Sequence, residues 1–138
     1  MEPLAIVEAT AAAFQFAEQG IAITKYLYSN ISSLRKASKA TQHRLELVDQ
    51  LQGVFRAIIH DPSLQTDAVA RLLQPALQSV SELQSRLLRL EMADNVSKWR
   101  KWSRSFRAFM NNDDIEKTFD NLDRQTSALT LCLQTADS

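Results

Sequence analysis

Glycine and proline are scarce in this chain, two and three in 138 residues. Hairpin turns and sheet bulges draw on both, and no run of β-branched residues alternates with period two. A β or α/β fold is thereby excluded, and an all-α domain is expected. Cys132 is the sole cysteine, so the chain forms no internal disulfide and no thiolate metal cluster. That usage fits a reducing, intracellular compartment. Sixteen basic and sixteen acidic residues cancel, leaving no global field to favour nucleic acid. The N-terminus carries Glu2 where a signal peptide would be basic. No stretch reaches the ~18 uncharged apolar residues of a constitutive spanning helix. The resting protein is expected to be soluble and cytoplasmic.

The residues that carry catalysis are equally sparse. Gly20 and Gly53 stand alone, so there is no glycine-rich phosphate loop. His43, His60 and Cys132 lie far apart in sequence and on different expected helices, and a lone thiol is more often a packing residue than a nucleophile. No catalytic, cofactor or metal residue is assigned, and an enzyme is not indicated.

What is present is a nearly charge-free beginning. Only Glu2, Glu8, Glu18 and Lys25 are charged in the first 34 residues. On a helix, Glu8, Ala11, Gln15, Glu18, Ala22, Lys25 and Ser29 follow a three–four spacing and form one narrow polar stripe. Leu4, Ile6, Val7, Phe14, Phe16, Ile21, Ile23, Tyr26 and Leu27 occupy most of the remaining circumference. A helix this apolar is either buried among other helices or enters a bilayer. Glu2-Pro3 suits its start, with proline at the first helical position.

Further helices are legible from the same periodicity. Leu34, Ala37, Thr41, Arg44, Val48, Leu51, Phe55 and Ile58 mark a second helix, capped by Ser33 or Ser38 and stopped at His60-Asp61-Pro62. Val69, Leu73, Ala76, Val80, Leu83, Leu87 and Leu90 form the seam of a third, starting at Ser63 or Thr66. Pro75 lies within that helix and is expected to kink it or divide it at Gln74. Ile115, Phe119, Leu122, Thr126, Leu129 and Leu133 define the last helix, after a turn and cap at residues 111–114. The expected spans are 3–30, 34–60, 64–93, 96–110 and 113–135, in a compact bundle. Its core is expected to include Phe14, Ile21, Val48, Leu51, Phe55, Leu73, Val80, Leu87, Phe119, Leu122 and Leu129.

The fourth span, 96–110, has a character of its own. Trp99, Trp102, Phe106 and Phe109 recur on one face, while Lys98, Arg100, Lys101, Arg104 and Arg107 supply five positive charges and no carboxylate intervenes. Two readings stand. The aromatics belong to the core with the basic stems snorkelling outward, or the segment meets anionic lipid, at ~1 kcal/mol per basic residue near the surface. Arg35, Lys36, Lys39 and Arg44 form a second basic group that lipid could contact.

The opening Met1-Glu2-Pro3-Leu4, the apolar run from Ala9 to Ala17 and Gly20 ahead of Lys25-Tyr26 resemble the N-terminal domains of fungal STAND (NLR-like) proteins. Trp102, Ile115-Glu116, Leu122-Asp123 and Leu129 to Leu133 are similar too. The family is the HeLo-like group with its SesA-type branch. The resemblance implies one helical-bundle domain over residues 1–138, distantly similar to the four-helix domain of the necroptosis pseudokinase MLKL. It implies the N-terminal part of a longer protein, followed by a nucleotide-binding oligomerisation module or an amyloid-type signalling segment. The implied function is a pore-forming effector of programmed cell death, of the heterokaryon-incompatibility type. Its partners would be further copies of itself and anionic lipids of the plasma membrane, with no nucleic acid. On that reading Leu4, Ile6, Val7, Phe14, Phe16, Ile21, Ile23 and Leu27 insert. Glu8, Gln15, Glu18 and Lys25 line a wet lumen, and the five basic residues from Lys98 to Arg107 contact lipid. The alternative is an adaptor that signals through homotypic bundle contacts and never inserts.

Overall fold

The computed structural model describes residues 3–32, 39–94 and 107–137, with side chains described except at 3–10, 40, 91–94 and 136–137. The described residues are almost entirely helical and contain no strand. Helix α1 spans Pro3–Ser32, α2 Lys39–His60 and α3 Asp67–Asp94. The described part of α4 is residues 107–110, and α5 spans Asp113–Asp137. The expected starts of the second and fourth helices, at Ser33, Ser38 and residue 96, lie outside the described residues.

Local chemistry accounts for the boundaries. α2 ends at His60 because Pro62 forces its predecessor out of helical geometry. Asp61, in extended conformation, caps a 3₁₀ turn over Pro62–Leu64, its carboxylate accepting from the Ser63 amide. The Gln65 amide side chain donates to the carbonyls of Ile58 and Ile59, satisfying groups the end of α2 leaves open. α3 therefore begins at Asp67 rather than at 64. Thr66 is its cap, with the hydroxyl accepting from Val69 N–H at 3.2 Å. At α5 the cap is Asn112, which accepts from Asp114 N–H at 2.8 Å, and Asp113, Asp114 and Glu116 complement the positive end of the dipole.

Pro75 does not divide α3. The helix runs through it, with Leu73, Ala76 and Val80 wholly buried on either side. Pro75 itself is on the solvent side, where water can satisfy the carbonyl whose partner amide it lacks. Packing of the seam outweighs one lost hydrogen bond.

α1 packs on α2 and α3, and α5 closes the bundle against α3 and, more lightly, α2. Gly20 meets Phe55, and Thr24 faces Gln52, so α1 and α2 run antiparallel. The reversal at residues 61–66 returns α3 along α1. Ser79 donates to Gln125 (2.9 Å), and Arg86 bridges Glu82 (3.1 Å) and Asp114 (3.9 Å), setting α5 antiparallel to α3. Val48, Leu51, Phe55, Leu73, Val80, Leu87, Phe119, Leu122 and Leu129 are buried as their stripes require.

Phe14 and Ile21 are the exceptions, because both are only half-buried. The face α1 turns inward is Ala13, Ala17, Gly20, Thr24, Leu27 and Ile31, small for its first four positions. Small residues let α2 and α3 approach the α1 backbone, and the bulkier side chains are displaced to the flanks. At Gly20 the approach is extreme, since an added Cβ would lie 2.4 Å from the fully buried Phe55 ring. The Thr24 hydroxyl donates to the Gly20 carbonyl at 2.8 Å and accepts from Gln52 Nε2 at 3.4 Å, which satisfies it inside the core.

The two glycines are expected to respond oppositely to alanine. Gly20→Ala is expected to destabilise the fold by about 1–3 kcal/mol through overpacking against Phe55. Gly53→Ala, where nothing lies within 4 Å of the new Cβ, is expected to stabilise it by roughly 0.5–1 kcal/mol through helix propensity. Urea unfolding monitored by circular dichroism reads both, and a stabilising Gly20→Ala would contradict the close approach.

Candidate functional site

Three regions bear on function: the outward side of α1, the end of α4, and a cleft between α2 and α5. On α1, Ala11, Gln15, Glu18, Ala22, Lys25 and Ser29 are all exposed, so the stripe faces solvent over its described length. Glu8 belongs to the same helix, but its side chain lies outside the described residues, as do those of Leu4, Ile6 and Val7. Of the apolar candidates, Phe14, Phe16, Ile21 and Ile23 are half-buried, with Phe16, Ile21 and Ile23 resting on the core. Leu27 is buried at 2% exposure and belongs to the inward face. The described members of that inserting set, Phe14, Phe16, Ile21, Ile23 and Leu27, therefore do not form a single surface in the folded bundle. No helix among the described residues is long and apolar enough to cross a membrane.

Of the five basic residues in the fourth span, only Arg107 is described, and it is exposed. Lys98, Arg100, Lys101 and Arg104 lie outside the described residues, together with Trp99, Trp102 and Phe106. Phe109 is half-buried and packs against the core, and Met110 is buried. The described end of this helix is thus anchored by its apolar side.

Arg44 performs a role that periodicity hinted at and charge obscured. Its guanidinium donates to the Met110 carbonyl at the end of α4 and stands over the Phe119 ring, 5.0 Å from the centroid. A cation there opposes the negative end of the helix dipole, while the ring face attracts it. Arg44 is half-buried and joins α2, α4 and α5, so it is not a free lipid contact of the kind its basic neighbours suggested. The signal for this was its place in the stripe of Thr41, Arg44 and Val48, an arginine at a core-facing position.

Beside this contact α2 and α5 leave an open cleft of about 170 Å³, lined by His43, Arg44, Leu47, Glu116, Phe119, Asp120 and Asp123. Its three carboxylates are exposed, as is His43, and Arg44 and Phe119 are already engaged with each other. No three histidine, cysteine or carboxylate side chains among the described residues are grouped to hold a metal ion. Cys132 is half-buried on α5.

No protein family, curated protein or solved structure matches this chain.

Arg44→Ala is expected to cost about 1–3 kcal/mol, combining a charge-assisted hydrogen bond with a partly exposed cation–π contact. Arg44→Lys is expected to recover only part of this, because an ammonium lacks the planar fork. Chemical denaturation measures both, and a loss below about 0.5 kcal/mol for the alanine variant would show the contact to be incidental.

Proposed function

We propose that this chain is a HeLo-like, SesA-type cell-death domain, brought to the plasma membrane by oligomerisation and permeabilising it through α1. The observation that carries this reading is the charge pattern of α1. Between Ala9 and Ser32 its only charges are Glu18 and Lys25, and both lie on the outward stripe. Thirty helical residues extend about 45 Å, enough to reach across a hydrocarbon core of ~30 Å.

Leaving the bundle exposes the inward face of α1 to water, at ~25 cal/mol per Å² of apolar surface. Lipid removes that face from water again, so insertion recovers much of the cost. A single copy also has to place Glu8, Glu18 and Lys25 in the membrane, at ~2.5–3.5 kcal/mol each near the bilayer centre. Several copies turn those stripes toward a shared wet lumen, so the step requires an oligomer. The basic residues Lys98, Arg100, Lys101, Arg104 and Arg107 would hold the domain on anionic lipid beforehand.

The second reading is a non-inserting adaptor. What favours it is the close seating of α1 at Gly20 and Phe55, together with the shortage of apolar length for an unaided span.

Dye release from anionic vesicles separates the two. The wild-type chain is expected to release dye, and Ile21→Glu, at the flank of the apolar circumference, to abolish release while helicity is retained. Full release by that folded variant would rule out insertion of α1 and leave the adaptor. Glutamine at all five basic positions of the fourth span is expected to weaken vesicle binding and flatten its dependence on salt. Unchanged binding would move the lipid contact elsewhere on the surface.

A further inference from the structure

The outward side of α1 carries a self-complementary set of side chains. Glu18 and Lys25 are exposed and make no ion pair among the described residues. Phe14, Ile21 and Tyr28 recur every seven residues along the adjoining edge. A straight helix drifts only about 20° per seven residues, so the three form one row. Phe14 and Ile21 are half-buried, and Tyr28 remains 40% exposed. Ala11, Ala22 and Ser29, also exposed, keep the surface beside that row low. The charged pair and the aromatic pair share a centre, since Glu18 and Lys25 flank positions 21–22 while Phe14 and Tyr28 flank Ile21.

We propose that two copies of this chain associate through this face, α1 against α1 and antiparallel, about a two-fold axis at residues 21–22. A two-fold axis brings the same patch of each copy together, so one end of the patch must complement the other. Here Glu18 of each copy meets Lys25 of the other, on both sides of the axis. Phe14 of each copy lies against Tyr28 and Ser29 of the other, and Ile21 against Ala22 across the axis.

A parallel pairing would set glutamate against glutamate and lysine against lysine, and like charges in register are unfavourable. The charge set thus selects both the occupant and its direction: a second copy, reversed. α2 and α3 take the inward side of α1, which leaves the outward side open to the second bundle. The association uses the folded, resting domain and does not depend on insertion into lipid.

Sedimentation equilibrium of the whole chain at low salt tests it. The wild-type mass is expected to rise with concentration from 15.6 kDa toward twice that value. Glu18→Lys alone, or Lys25→Glu alone, creates two like-charge contacts per dimer and is expected to weaken association at least about tenfold. The double exchange of Glu18→Lys with Lys25→Glu is expected to restore it to within about threefold. Both positions face solvent, so the bundle itself tolerates the exchanges. A monomer at every concentration, single variants that dimerise like wild type, or a double variant no better than the singles would each overturn the proposal. A wild-type chain that dimerises but releases no dye from anionic vesicles would count against the insertion reading alone.

Discussion

The bundle depends on how closely α2 can lie against α1. That distance is set where the Phe55 ring covers Gly20, at a separation no other residue type would permit without movement. Ala13 and Ala17 below and Thr24 above continue the groove, all wholly buried. Thr24 is the one polar member. Its hydroxyl is tied to the Gly20 carbonyl and to Gln52, so the groove carries no unsatisfied donor there. With α1 seated this deeply, α3 reaches it from the other side and α5 completes the ring.

This seating explains both what the sequence disclosed and what it hid. The seams of α3 and α5 were legible because large apolar residues repeat at three and four, and Leu73, Val80, Leu87, Phe119, Leu122 and Leu129 are all buried. On α1 the same logic pointed to Phe14 and Ile21. Volume misled it, because the most enclosed positions are the ones where neighbouring backbones approach, and those select alanine and glycine. The polar stripe is exposed over its described length, since charge reports on solvent whatever the size of the residues opposite. Pro75 does not divide its helix, as a solvent-side proline costs the helix less than its buried seam contributes.

Arg44 shows a different limit. Periodicity placed it facing the core and chemistry argued against that, so it was grouped with the basic residues around it. Its partners are a backbone carbonyl at the end of α4 and an aromatic ring on α5. Neither can be found by pattern, because both are brought to it by the fold. At the described end of the fourth span Arg107 is exposed, Phe109 is half-buried and Met110 is buried, so that end is held by its apolar side chains.

The proposed activity turns on whether α1 leaves its groove. Thr24 and Gln52 face each other across α1 and α2, so Thr24→Cys with Gln52→Cys, in a Cys132→Ser background, allows the two helices to be joined by a short reducible thiol-specific bridge. The bridge is installed on the unfolded chain before refolding, because position 24 is wholly buried. The account predicts no dye release from anionic vesicles while the bridge is intact and full release after its reduction. Equal release in both states, or none in either, would contradict it.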